Sequence, residues 1–325
     1  MESDLVKPRI LVTRRWPEAV EQELAKVYDV TFNASDTPLD QQTLAAAMGE
    51  YDVLAPTVSD RIDADVIKAG DRVKLIANYG VGFDHIALDA AHERGIAVTN
   101  TPGVLTDSTA DLTMALLLMA VRRGGEGERE LRSGQWTGWR PTHMLGTSLH
   151  GKVLGLVGFG RIGQATACRA RAFGMKIAYY GRHPVSHKTA CDLDAHYYSD
   201  FHKLLRAAHV VSLHVPGGAE TRHMIDAAAI QSMRKGAYLV NTARGEVVDH
   251  DALAEALRNG HLSGAGLDVY PEEPQIPEAL LGLENVVLLP HLGSATHEAR
   301  EAMGRKVIAN IHAWTKGQHL PDQVA

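Results

Sequence analysis

Three groups of residues in this sequence have types and spacing that suit chemistry. The first is Val153–Gly163, VLGLVGFGRIG, an apolar run that enters G-x-G-x-x-G directly. With a strand before it and a helix after it, this pattern forms a dinucleotide-binding turn. Gly158 permits the tight turn, Gly160 lets the backbone approach a pyrophosphate, and Gly163 lets the helix pack on the strand. The amides of Arg161 and Ile162, at the helix start, face the phosphates. The bland alternative is a glycine-rich turn without a ligand. The second group is Gly181-Arg182-His183, after the next strand. An acidic residue commonly stands there to bind the ribose 2'-hydroxyl of NAD. A carboxylate repels a 2'-phosphate, whereas a guanidinium binds one in bidentate fashion. The expected cofactor is therefore NADP(H), held at this end by Gly181, Arg182 and His183, with NAD(H) as the weaker alternative. An Arg at a strand end can equally be a solvated surface charge.

The third group is Arg244, Glu273 and His291, each just past an apolar run: Asn241-Thr242-Ala243-Arg244-Gly245, Asp268 to Pro274, and Pro290-His291-Leu292-Gly293-Ser294. Ligands of an open α/β sheet bind at the carboxyl ends of strands, so three successive strand ends converge on one crevice. Hydride transfer to a 2-keto acid leaves an oxyanion that needs a proton, and a histidine supplies one near neutral pH. A carboxylate beside it favours the imidazolium and fixes the ring. The substrate carboxylate needs a planar bidentate cation, which is Arg. His291 is thus assigned as acid/base, Glu273 as its orienting partner and Arg244 as the substrate clamp. Taken singly, each can be an ordinary polar residue at a surface turn; the chain has 17 histidines.

Strand-then-helix units must position these groups. Strands are expected at Arg9–Val12, Val30–Phe32, Val53–Ala55, Lys74–Ala77 and Ile96–Thr99, then at Val153–Val157, Lys176–Tyr180, Val210–His214, Tyr238–Asn241, Gly266–Val269 and Val286–Leu289. Helical patterns lie between most of them, and this alternation predicts parallel sheets covered on both faces. Thr106–Arg123 reads as one long apolar helix, expected to be buried and to sit between two domains. Gly124–Pro141 reads as an irregular connection, and Ala295–Trp314 as a closing helix. The expected fold class is α/β. It comprises two doubly wound parallel-sheet domains, with a Rossmann cofactor domain (102–290) inserted into a flavodoxin-like substrate domain (1–101 and 291–325).

The 325 residues suffice for two cores. The net charge of -6, without a basic block, argues against a nucleic-acid partner. Cys168 and Cys191 form neither a CxxC pair nor a metal cluster, so free thiols in a reducing, cytoplasmic setting are expected, and no metal. No signal-peptide core and no apolar run of membrane-spanning length is present in the sequence.

Asn78–Asp84, Asn100–Gly103, Leu154–Gly163, Asn241–Gly245, Gly264–Asp268 and Pro290–Ser294, in this order, resemble the D-isomer-specific 2-hydroxyacid dehydrogenase family over nearly the whole chain. The resemblance implies a split two-domain architecture and a homodimer joined through the cofactor domains. It implies that the Val81 and Gly82 amides help hold the substrate carboxylate. It further implies that Asp268 bonds the nicotinamide carboxamide, and that Val215, Pro216, Thr242, Ala243 and Gly293 line the cofactor. Trp136–Pro141, WTGWRP, is similar to the glyoxylate/hydroxypyruvate reductase branch, in which Trp139 would reach the partner's substrate pocket; plain interface or core packing is the alternative. Glyoxylate or hydroxypyruvate is the substrate so implied. The rivals are 2-ketogluconate reduction on the same scaffold and a non-catalytic, corepressor-like dinucleotide-binding protein. Formate enzymes of the family typically carry Gln where this chain has Glu273.

Overall fold

The structure, a computed structural model, describes residues 7–325. The expected domain start at residue 1, and the part of the N-terminus read for a signal peptide before Lys7, lie outside the described residues. The chain divides into two compact units. One runs to Leu105 and resumes over Ala295–Ala325; the other is Thr106–Ser294.

The first unit holds strands β1 (Arg9–Val12), β2 (Asp29–Phe32), β3 (Val53–Ala55), β4 (Leu75–Ala77) and β5 (Ala97–Thr99). All pair in parallel in the order β2-β1-β3-β4-β5, the flavodoxin-like arrangement. Alternate residues of each strand feed opposite faces, as the two-residue period of a strand requires. Ile10 and Val12 join one core with helix α1 (Glu18–Val27), whereas Leu11 joins another with α2 (Gln41–Glu50), α3 (Ala64–Lys68) and α4 (Leu88–Glu93).

The second unit begins with α5 (Thr106–Val121) and α6 (Gly124–Arg132). It then alternates β6 (Val153–Val157), α7 (Arg161–Ala172), β7 (Lys176–Tyr180), α8 (His187–Leu193), β8 (Ala195–Tyr198), α9 (Phe201–Ala207) and β9 (Val210–Leu213). It continues with α10 (Ala227–Ser232), β10 (Ala237–Asn241), α11 (His250–Arg258), β11 (Leu262–Leu267), α12 (Glu278–Leu281) and β12 (Val286–Leu288). Seven parallel strands run β12-β11-β10-β9-β6-β7-β8. The order reverses between β6 and β9, and the carboxyl ends at such a reversal form the ligand crevice of a Rossmann sheet. Helices cover both faces: Leu154, Leu156 and Val240 pack with α5 and α7, while Val157, Leu239 and Leu267 pack with α9, α10 and α11. Helix α13 (His297–Thr315) returns to the first unit, where Met303, Val307 and Ile311 complete the α1 side of its core.

Four features depart from the sequence expectations. Gly124–Arg132 is helical rather than irregular; ion pairs of Arg123 with Glu126, Arg132 with Glu128 and Arg129 with Glu284 offset part of the cost of its glycines. β8 carries no apolar run because it is a half-exposed edge strand. β11 starts at Leu262, ahead of the expected Gly266, because its small residues hide its apolar character. A Cβ on Gly266 would lie 3.0 Å from the Leu116 Cβ of α5, so smallness here is what lets α5 lie close against the strand. Finally, the 291–294 turn, outside the expected 102–290 domain, belongs to the second unit, together with α5, which the expected domain already included. The reason is bonding: α5 packs on this unit's sheet, and the turn is hydrogen-bonded to Asp268 and Thr109. Among the described residues no helix is long and apolar enough to cross a membrane.

Candidate active site

The glycine turn after β6 has the shape a dinucleotide needs. Gly158 sits at φ +90, and a Cβ there would lie 2.5 Å from the His214 carbonyl oxygen. A Cβ on Gly163 would lie 2.6 Å from the Gly158 oxygen, whereas one on Gly160 would meet nothing within 4 Å. The first and third glycines are therefore demanded by the fold, and the second leaves open space where a pyrophosphate would sit. Gly160 caps α7 without any side-chain hydrogen bond, so no side chain competes for the first-turn amides, which include those of Arg161 and Ile162. These features fit a nicotinamide dinucleotide. Behind the turn, burial of the His214 ring lowers its pKa to about 4, and Nε2 lies 2.9 Å from the Ser212 hydroxyl. The imidazole is thus neutral.

At the end of β7, the Gly181 carbonyl accepts from the Tyr197 hydroxyl at 3.2 Å, while Arg182 and His183 are exposed. Among the described residues no carboxylate pairs with Arg182. Past β9, Val215 is half-buried and Pro216 exposed; the Pro216 carbonyl accepts from Thr221 at 2.7 Å.

Three strand-end turns carry the chemical groups, and each is bonded to the next. After β10, the buried Asn241 side chain accepts from the Ala243 amide at 2.9 Å and donates to the Arg244 carbonyl at 2.8 Å. Asn241 thereby fixes the Thr242–Arg244 backbone. Gly245 follows, and a Cβ there would lie 1.9 Å from the Tyr270 carbonyl carbon. The Arg244 turn consequently rests directly on the Glu273 turn. In that second turn, the Tyr270 amide donates to Glu273 Oε1 at 3.0 Å and the Tyr270 hydroxyl to the Leu289 carbonyl at 2.9 Å. The other carboxylate oxygen, Oε2, lies 2.7 Å from His291 Nδ1. In the third turn His291 adopts φ 55, a left-handed conformation unusual for a non-glycine residue. Its amide donates to the Asp268 carbonyl at 2.9 Å, and the next two amides, of Leu292 and Gly293, donate to the Asp268 carboxylate at 2.7 and 2.8 Å.

The electrostatics follow from these contacts. Burial pushes the Glu273 carboxyl up. The hydrogen bond and charge of His291, the Tyr270 amide and the charge of Arg244 outweigh it, leaving Glu273 below its ordinary value and ionised at neutral pH. An ionised Oε2 against Nδ1 makes Nδ1 the protonated nitrogen and leaves Nε2 as the one for proton exchange. Burial raises the pKa of Asp268 despite its two amide donors.

The structure thus brings Arg244, Glu273 and His291 together within the second unit, with Thr242, Ala243 and Gly293 on the same turns. Asp268 is 1% exposed, and both of its oxygens are engaged by the His291 turn. Its partners here are backbone amides, so it braces the turn, a task distinct from the carboxamide contact expected of it. Val81 and Gly82 lie in the first unit after β4. Asn78 donates to the Gly80 and Gly82 carbonyls at 3.1 and 2.9 Å, and Asn100 to the Val81 carbonyl at 2.8 Å. Three successive carbonyls are thereby tied to asparagines. Trp139 is 82% exposed, which excludes the core-packing alternative. The sequence reading missed Asn241, Tyr270 and His214, and also Thr109 and Thr113 of α5. Two buried threonines four apart, on a helix whose C-terminal half is apolar, were a visible signal.

The family model for the NAD binding domain of D-isomer specific 2-hydroxyacid dehydrogenase matches residues 114–293. The chain is 46% identical to a glyoxylate reductase of Thermococcus litoralis, over 98% of this chain and 97% of that protein. It is 43% identical to a glyoxylate reductase of Aeropyrum pernix, over 98% and 96%. Among solved structures, an NADPH-dependent glyoxylate/hydroxypyruvate reductase of Sinorhizobium meliloti, in complex with NADP and malonate, superposes with a TM-score of 0.88 at 36% identity, covering 98% of this chain and 97% of that one.

Proposed function

This chain belongs to the D-isomer specific 2-hydroxyacid dehydrogenase family, and on that premise we propose that it reduces a small 2-keto acid, glyoxylate or hydroxypyruvate, with NADPH preferred over NADH. The observation that carries the reading is the 2.7 Å contact between His291 Nδ1 and Glu273 Oε2, on a turn adjoining that of Arg244. The names of the glyoxylate reductases and of the NADP-bound relative support the substrate class and the cofactor.

A nicotinamide dinucleotide, when bound, supplies the hydride. Gly158 and Gly163 shape the turn, Gly160 leaves room for its pyrophosphate beside the α7 amides, and Arg182 offers a guanidinium for a 2'-phosphate. Arg244 binds the substrate carboxylate as a planar two-point donor and so orients the keto carbon. The Val81 and Gly82 amides keep the substrate-carboxylate role that the resemblance gave them. His291 donates the Nε2 proton to the substrate oxygen as charge develops there. Glu273, fixed by the Tyr270 amide, holds the Nδ1 proton and favours the imidazolium, whose second proton, on Nε2, is the one transferred. The product is a D-2-hydroxy acid, or achiral glycolate from glyoxylate. Exposed Leu131, Trp136, Trp139 and Leu145 support a homodimer, and two cysteines without a disulfide support a cytoplasmic setting.

Steady-state kinetics with NADPH and NADH against glyoxylate, hydroxypyruvate, pyruvate and 2-ketogluconate test the reading. The highest kcat/KM is expected for glyoxylate or hydroxypyruvate with NADPH. A clear preference for 2-ketogluconate would replace the substrate. Dinucleotide binding without turnover of any keto acid would replace the activity by a binding role.

A further inference from the structure

We propose that Thr109 and Thr113 of α5 are positioning residues that set the two halves of the active site separately. Thr109 holds the turn of His291, and Thr113, acting through Thr242, holds the turn of Arg244. The inference rests on the reading above for its chemistry, although the geometry stands without it.

Helix α5 is apolar along most of its length, and threonine is a poor choice for a helix interior. A hydroxyl also costs stability when buried unless it is hydrogen-bonded. Thr109 is nevertheless 5% exposed and Thr113 fully buried. Four residues apart, they share one face of the helix. Each reaches a different strand-end turn. The Thr109 hydroxyl donates to the Gly293 carbonyl at 3.1 Å. The Thr113 hydroxyl donates to the Thr109 carbonyl at 2.8 Å and lies 2.9 Å from the Thr242 hydroxyl. A hydroxyl has one proton. Because the Thr113 proton goes to a carbonyl, Thr242 must be the donor in the hydroxyl pair. The donors therefore run in one direction, from Thr242 to Thr113 to the Thr109 carbonyl, while the Thr109 proton goes to Gly293.

The two contacts fall where the turns need support. Gly293 stands two residues past His291, whose left-handed backbone persists only if its surroundings hold it. Asp268 grips Gly293 by its amide and Thr109 grips it by its carbonyl. A Cβ on Gly293 would lie 3.3 Å from Asp268 Oδ2 and 3.4 Å from the Thr109 side chain, so the glycine is clasped from both sides. Thr242 stands two residues before Arg244, and Asn241 braces only the backbone of that turn. The Thr113 hydroxyl fixes the Thr242 side chain on the α5 side.

Thr109→Val and Thr113→Val remove the hydroxyls with little change of shape, and Thr109→Ser restores one. For each variant kcat and KM on the best keto acid, dinucleotide affinity and thermal midpoint are measured. Thr109→Val should lower kcat about tenfold with little change in KM, and Thr113→Val should raise KM about tenfold with little change in kcat, by analogy with other small misplacements of reacting groups. Thr109→Ser should recover most of the kcat. The titration of the His291 ring, followed by NMR, should move in Thr109→Val and stay in Thr113→Val. Parallel loss of kcat and KM in both variants, or losses that merely track the thermal midpoint, would overturn the proposal. If the parent turns over no keto acid, the functional reading fails, and the NMR result alone then decides: an unmoved His291 titration in Thr109→Val overturns the positioning role.

Discussion

The strand-end turns of β10, β11 and β12 and the exposed Gly181–His183 corner, both assigned to the proposed reaction, are built on opposite terms. Around Arg244, Glu273 and His291, a buried asparagine, a buried aspartate, two tyrosine bonds and two α5 threonines fix each backbone. Around Arg182 the chain is exposed, and the Gly181 carbonyl accepts from the Tyr197 hydroxyl. Trp139, on another exposed segment, is of the same kind. The contrast teaches where rigidity is needed. Proton transfer is sensitive to fractions of an ångström, so its groups are over-determined. Attraction of a phosphate to a guanidinium tolerates looser geometry, so a preference between cofactors can rest on one exposed side chain.

The largest expected effect belongs to the braced region. His291→Ala should reduce turnover of glyoxylate by about 10²–10⁴, the usual worth of a positioned acid; a variant with the parent's rate would remove His291 from the mechanism. At the exposed corner, Arg182→Ala should weaken NADPH binding about ten- to a hundredfold, the worth of a charged hydrogen bond, while sparing NADH. Equal loss for both dinucleotides, read by fluorescence titration, would deny Arg182 the 2'-phosphate. Glu273→Gln should move the alkaline limb of the activity profile about one pH unit lower, since the charge favouring a protonated imidazole is gone. In the parent, the Glu273 carboxyl is held below its ordinary value. The stabilisation from its partners is therefore complete above that value and lost only as pH falls through the depressed one. An unshifted limb would confine Glu273 to a steric part.

His214, behind the glycine turn, gives the smallest effect. Its pKa lies near 4 in the fold against 6.5 for the ordinary side chain. Between these values the unfolded chain takes up a proton that the folded one refuses. Stability is full above 6.5 and declines as pH falls toward 4, by roughly 3 kcal/mol in all. The thermal midpoint should drop by several degrees between pH 7.5 and pH 5 and drop less in His214→Gln. Identical curves would show that some other group drives acid unfolding.

Much of this was legible in the chain itself. The apolar runs of β6, β7, β9 and β10 stand out because both faces of an inner parallel strand are covered. The glycine turn is legible because each glycine answers a separate steric demand. β11 and β8 were harder to read, one made of small residues beneath α5 and the other half-exposed at an edge. Helix α6 was obscured by glycines whose cost is partly met by ion pairs, one of them reaching Glu284 far along the chain.

Residue type and local order by themselves determined which groups could act: a base, a carboxylate and a guanidinium, each following an apolar run, and a glycine turn for phosphates. Those choices are local, governed by the chemistry of single side chains and the steric reach of a few bonds. Only the tertiary structure decided that Asp268 serves the His291 backbone, that Gly245 lets one turn lean on another, and that two threonines on α5 clasp both. These depend on distances between segments 25 residues apart, as from Asp268 to Gly293, or 129 apart, as from Thr113 to Thr242. Such distances are fixed by how α5 lies across the sheet rather than by any short stretch of sequence.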